Sequence, residues 1–126
     1  MNKPISPKVH GIIDYAMGGA LAVLPAALGL NSAAVKTYGG LAANFLIVDA
    51  LTDTPVGIKK VMSCGAHKKA DLATLGTLAL MAFAKPFRED RKALAFHIGL
   101  IALTGAQYML TDYDKDLNCK AQHWSV

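Results

Sequence analysis

The stretch Ser6 to Leu30, SPKVHGIIDYAMGGALAVLPAALGL, decides the fold. From Val9 to Leu30 its only charged side chain is Asp14. At a rise of ~1.5 Å per residue, a helix of that length spans about the hydrocarbon thickness of a bilayer. Ser6 is a good N-cap and Pro7 suits the first helical turn, where its missing N–H costs nothing, so the helix is predicted to start near Pro7. Gly18, Ala22 and Ala26 recur every fourth residue and predict a small-residue seam against a neighbouring helix, and Pro25 predicts a kink near the far end.

Three more apolar segments lie downstream: Tyr38 to Leu51, Ala70 to Ala84 and Ala93 to Leu110. With Val9 to Leu30 they contain only Asp14, Asp49 and Asp71 of the charged residues. Charged residues make up 17% of the chain, against about 25% in soluble domains. Leu72 to Ala84 has Thr74 and Thr77 as its only polar side chains, so a helix there is apolar all round. The expected fold is therefore all-α, a bundle of four transmembrane helices. They are predicted to run from about Pro7, from about Ala33 or Tyr38 to Leu51, from about Lys68 to Ala84, and from about Arg91 to Leu110. A loop over 52–69 and a tight turn over 87–90 connect them. The net charge of +4 comes from Lys and Arg beside the apolar segments, placed to meet anionic headgroups. With no basic helix face and no aromatic stacking platform, a nucleic-acid partner is excluded. The expected partners are membrane lipids and a second copy or a larger membrane complex. No A-x-A-like site follows the first apolar run, which is read as a retained span rather than a cleaved signal.

The second half of the chain repeats the first. His10-x-x-x-Asp14 aligns with His67-x-x-x-Asp71, and Leu51-Thr52-Asp53 with Leu110-Thr111-Asp112, in the same order and with two apolar segments between the anchors of each half. The expected organisation is one membrane domain over 1–126. It comprises a first helical hairpin at about 6–57, a second at about 63–113 and a polar tail over 114–126. Two spans per unit is an even number, so the hairpins are parallel-related, about an axis along the membrane normal. That places His10, Asp14, Asp53, His67, Asp71 and Asp112 at one membrane face. Beside that face stand Lys3, Lys8, Lys59, Lys60, Lys68, Lys69, Lys115 and Lys120. Beside the other stand Lys36, Lys85, Arg88, Arg91 and Lys92. The bias puts both termini in the cytoplasm.

Histidine and aspartate at i, i+4 share a helix face, and ionisable residues inside a membrane are costly enough to be functional candidates. His10, Asp14, His67 and Asp71 are the candidate metal ligands, with Asp53 and Asp112 as neighbours; imidazole with carboxylate suits a transition metal. The competing reading is structural, with each histidine hydrogen-bonded to a carboxylate or backbone group. A haem held by His10 and His67 is a further alternative; His97 falls at the opposite face. Cys64-x-x-His67 with Cys119-x-x-x-His123 would supply four zinc ligands, but two cysteines at a cytoplasmic face are more simply read as free thiols. Asp49, in the second helix, lies near the same cluster. No Ser-His-Asp order, phosphate loop, GxGxxG or HExxH is present.

The motif Ser6-Pro7-Lys8-x-His10-Gly11-x-x-Asp14-Tyr15, the small-residue helix after it, Pro25 and the duplicated His-x-x-x-Asp resemble the SPW-repeat family of small bacterial membrane proteins, over roughly residues 6–113. The Ser-Pro-Trp triplet itself is replaced, by Leu24-Pro25-Ala26 and by Ala84-Lys85-Pro86. The resemblance implies four helices and no established activity. The expected function is that of a non-enzymatic structural or accessory subunit of the bacterial inner membrane, without a cofactor. The alternative is a metal- or haem-binding protein that uses the His/Asp cluster for redox chemistry or for ion or proton transport.

Overall fold

The computed structural model describes residues 3–113. These residues form helices α1 (Pro7–Ala27), α2 (Ser32–Leu51), α3 (Cys64–Met81), α4 (Lys85–Arg88) and α5 (Arg91–Leu110), and no strand occurs among them. The fold is all-helical. Each start has a chemical cause. Ser6 Oγ accepts the Val9 amide, Asn31 Oδ1 that of Ala34, Ser63 Oγ that of Ala66, and Asp90 Oδ1 those of Lys92 and Ala93. Because Ser63 is the cap, α3 starts at Cys64, ahead of the predicted Lys68. The tight turn expected over 87–90 is preceded by the one-turn helix α4, in which Pro86 occupies an opening position and Phe87 is driven into the core.

Helix α1 ends two residues beyond Pro25 in a Schellman turn. Leu30 N bonds Pro25 O at 3.0 Å and Gly29 N bonds Ala26 O at 3.1 Å, with Gly29 at φ +74°, where a Cβ would be strained. The buried face of α1 carries His10, Asp14, Met17, Gly18, Leu21 and Pro25. Of the predicted seam only Gly18 is buried; Ala22 and Ala26 are exposed. At 3.6 residues per turn a strict four-residue repeat drifts round the helix, and the buried stripe alternates steps of three and four instead. At Gly18 a Cβ would come within 2.6 Å of the Leu46 side chain, which shows how closely α1 and α2 pack.

Two of the helices, α1 and α5, are long and apolar enough to cross a membrane, where four were expected. Lys36, Asn44 and Asp49 interrupt α2, and α3 spends its first turns on Lys68, Lys69 and Asp71. The core is small and aromatic at the end far from His10. There Tyr38 packs on Phe87 and Phe96, with the buried residues Leu78, Ala93 and Leu100 in the same cluster. Asn31 ties that end together by donating to Pro86 O (2.7 Å) and Asp90 Oδ2 (2.9 Å). Many large apolar side chains face outward, including Leu80 and Phe83, each 75% exposed.

The other end is closed by two short parallel bridges. Ile5 pairs with the residues after α5 (Ile5 N to Leu110 O, 3.1 Å; Asp112 N to Ile5 O, 2.8 Å). Met62 pairs with those after α2 (Met62 N to Leu51 O, 2.8 Å; Asp53 N to Met62 O, 2.8 Å). Each bridge sets the start of one helix beside the end of another. The first turns of α1 and α3 therefore meet the last turns of α5 and α2.

Candidate functional site

At that junction the residues at i and i+4 on α1 and on α3 close into one ring. His10 Nε2 lies 3.3 Å from Asp14 Oδ2 and 3.1 Å from Asp71 Oδ2; His67 Nε2 lies 3.2 Å from Asp14 Oδ2 and 3.3 Å from Asp71 Oδ1. Nitrogen and oxygen alternate around it, and one donor atom from each residue fits within 4.8 Å of all the others. The two imidazoles meet edge to face with centroids 5.2 Å apart. His10, Asp14 and His67 are buried, and Asp71 forms the slightly open edge.

A second layer of groups holds each member of the ring. Thr111 Oγ1 lies 2.7 Å from His10 Nδ1, and Thr52 Oγ1 lies 2.7 Å from His67 Nδ1. Gln107 Nε2 donates to Asp14 Oδ1 at 2.8 Å, and the Tyr113 hydroxyl donates to Asp71 Oδ2 at 2.8 Å. Burial, reinforced by the Asp71 carboxylate, holds the Tyr113 phenol well above its ordinary range, so it remains a donor. Lys68 Nζ sits 5.5 Å from the Tyr113 ring centroid. The threonines work across the halves: the histidine on α1 is held from the end of α5, and the histidine on α3 from the end of α2.

Asp49 lies beside the ring without joining it. It is fully buried, neither carboxylate oxygen has a hydrogen-bond partner, and with Thr52, Thr54 and both ring histidines it lines a cavity of about 10 Å³. A Cβ on Gly11 would come within 2.9 Å of Asp49 Oδ1, so the missing side chain at Gly11 makes room for that carboxylate. Asp53 and Asp112 are outside the four-residue group and contribute backbone to the two bridges.

His97 serves a different place. Its Nε2 lies 2.6 Å from Leu78 O, which can only accept, so that nitrogen carries the proton and Nδ1 accepts from the Tyr38 hydroxyl at 2.7 Å. The free-thiol reading of Cys64 is overturned, because its sulfur is disulfide-bonded. A disulfide sulfur is no thiolate, so the zinc arm Cys64-x-x-His67 loses its first ligand. Cys119 and His123 lie outside the described residues.

Thr52 and Thr111 stand inside the duplicated Leu-Thr-Asp triplets, where the charged neighbour draws attention before the hydroxyl. Gln107 was legible as one of three polar groups inside an apolar helix. Tyr113 reads from sequence only as an interfacial aromatic.

No protein-family model, curated protein or solved structure matches this chain, so the resemblance to the SPW-repeat family has no support beyond the sequence features that suggest it.

Proposed function

We propose that this chain is a small, non-enzymatic membrane subunit of four spans, made of two duplicated helical hairpins bolted together at one polar end. The observation that carries this reading is the division of the surface. Large apolar side chains such as Val23, Leu80, Phe83, Ile98 and Met109 face outward along the rods, while the buried polar groups among the described residues, His97 apart, collect at the junction near His10. In water those side chains would form an aggregation-prone surface; in lipid they need no cover.

Paired details support the duplication. Ser6 and Ser63 cap α1 and α3 in the same way. The Ile5 and Met62 bridges correspond, and Thr52 and Thr111 hold the histidine of the opposite hairpin. With α2 and α3 counted as spans, their Asp49 and Asp71 sit near the polar end, where interfacial water is within reach. The proposed setting is the bacterial inner membrane, with the polar end and both termini on the cytoplasmic side by the Lys and Arg bias. The Cys64 disulfide is the observation against that orientation, because such bonds persist in oxidising compartments.

Fractionation and detergent dependence test the membrane reading. The chain is expected in the membrane pellet, resistant to carbonate extraction and monodisperse only with detergent or lipid. A detergent-free monodisperse preparation would overturn it. Reporter fusions at each terminus, combined with alkylation of Cys64 before and after reduction in intact cells, decide which side the polar end occupies.

A further inference from the structure

The hydrogen-bond inventory of the ring fixes where the protons sit. A threonine hydroxyl has one proton to give. Thr111 Oγ1 gives its proton to Gln107 O at 2.6 Å and Thr52 Oγ1 to Val48 O at 2.6 Å. At 2.7 Å from His10 Nδ1 and His67 Nδ1 those oxygens can only accept, so both Nδ1 atoms carry hydrogen. The neutral imidazoles then turn bare Nε2 lone pairs toward the carboxylate oxygens of Asp14 and Asp71. Two imidazoles and two carboxylates, all four of them electron-pair donors, then face one small volume.

A proton on each Nε2 would be one remedy; it suits His67, whose Nε2 is in hydrogen-bond geometry 3.2 Å from Asp14 Oδ2, and it fits His10 badly. His10 is 4% exposed, and its Nε2, although 3.1 and 3.3 Å from the two carboxylates, is aligned with neither and makes no hydrogen bond. An N–H there would be a buried donor without an acceptor, a costly arrangement. A central cation answers all four atoms together.

We propose that His10, Asp14, His67 and Asp71 form a tetrahedral binding site for one divalent first-row transition-metal ion of the zinc type. Donors 2.0–2.1 Å from a tetrahedral Zn²⁺ stand ~3.3 Å apart. The four N···O edges of the ring measure 3.1–3.3 Å, with Asp71 turning Oδ2 to His10 and Oδ1 to His67; the donors lie within 4.8 Å of one another, so an ion would draw the like atoms across the ring closer together. Two imidazole nitrogens argue against Mg²⁺ or Ca²⁺, which take oxygen ligands in larger number. The charges close: two carboxylates balance a divalent ion, so the filled site is neutral in a low-dielectric setting. Every ligand has its orienting partner: Thr111 on His10, Thr52 on His67, Gln107 on Asp14 and Tyr113 on Asp71. Such outer partners fix tautomer and aim in protein metal centres.

The cavities beside the ring hold about 10 Å³ each, lined on one side by Thr104, Gln107 and Tyr108 and on the other by Thr52, Thr54 and Cys64. That is room for about one water and none for a porphyrin, so the geometry selects an ion over haem. Four protein ligands without an open position describe a structural centre, in which the ion clips α1 to α3 and, through the threonines, to α2 and α5. The side chain of Asp71, 15% exposed, is the edge through which the ion enters.

The test uses the full chain in detergent, purified on a histidine-free tag, stripped with a chelator and titrated with Co²⁺ and then Zn²⁺. The expected result is one equivalent of Co²⁺ with the intense visible bands of tetrahedral coordination, displaced by Zn²⁺ and lost in Asp71→Asn and His10→Gln. Thr52→Val keeps all four ligands and is expected to bind 10- to 100-fold more weakly. Binding well below one equivalent in the wild type, or an octahedral spectrum, would overturn the site. So would wild-type affinity in His10→Gln. If the ligand variants do not fold, Thr52→Val decides alone, and an unchanged affinity there counts against the proposal. None of these readouts depends on the number of membrane spans.

Discussion

Replacing Thr111 by valine removes one hydroxyl and almost no volume, which isolates the hydrogen bonds. In the wild type, Thr111 Oγ1 accepts from His10 Nδ1 at 2.7 Å and donates to Gln107 O at 2.6 Å. The carbonyl belongs to the last turn of α5, where carbonyls lack helical partners in any case. The imidazole N–H has no such alternative, because His10 is buried and Thr111 Oγ1 is the acceptor at its Nδ1. Orphaning one buried donor costs ~1–3 kcal/mol, and the lost Thr111–Gln107 bond adds ~0.5–1 kcal/mol. The variant is therefore expected to lose ~2–3 kcal/mol. The assay is reversible denaturation in a fixed detergent, with Thr52→Val and the double variant measured alongside. Both threonines brace one ring, so the double-variant cycle is expected to depart from additivity by more than ~0.5 kcal/mol. A Thr111→Val protein within ~0.5 kcal/mol of wild type would refute the assignment of the Nδ1 proton, and the metal argument that depends on it.

Gly11→Ala is expected to destabilise by ~1–3 kcal/mol, because the added Cβ would meet Val56 Cγ2 at 2.5 Å and Asp49 Oδ1 at 2.9 Å; an unchanged denaturation midpoint would show that both neighbours yield freely. Zn²⁺ binding is expected to weaken as pH falls, since both Nε2 lone pairs must stay free of protons to coordinate. Titrations at a series of pH values read that dependence, and an affinity unchanged into acid would contradict coordination through the imidazoles. Asp90 holds its carboxyl below the usual range through the hydrogen bond from Asn31, helped by the amides of α5. A lowered folded-state value means that its contribution is complete above the ordinary carboxylate range and is lost as pH falls through the lowered one. The stability gap between wild type and Asp90→Ala is therefore expected to narrow in acid; a gap independent of pH would show that the charge plays no part.

The sequence by itself determined the rods and most of their ends. Apolar runs interrupted by Ser6-Pro7, Asn31-Ser32 and Asp90-Arg91 specify helices because capping chemistry is local, acting over three or four residues. The same locality made each His-x-x-x-Asp pair legible, since i and i+4 share a face whatever surrounds them. Where a local rule was pushed further it failed. Ala22 and Ala26 continue a four-residue repeat that the helix does not, and Cys64 looked free because its bonding depends on chain far away. Only the tertiary structure decided that the two His–Asp pairs share one centre, that Thr52 and Thr111 clasp the histidines of the opposite half, and that Asp53 and Asp112 stand aside. Those relations depend on the relative height of α1 and α3, and the height is set by the bridges at Ile5 and Met62. A shift of one residue in either bridge would move a donor by several ångströms and open the ring. No spacing along the chain encodes that registry, because it is a property of two helices meeting rather than of either one alone.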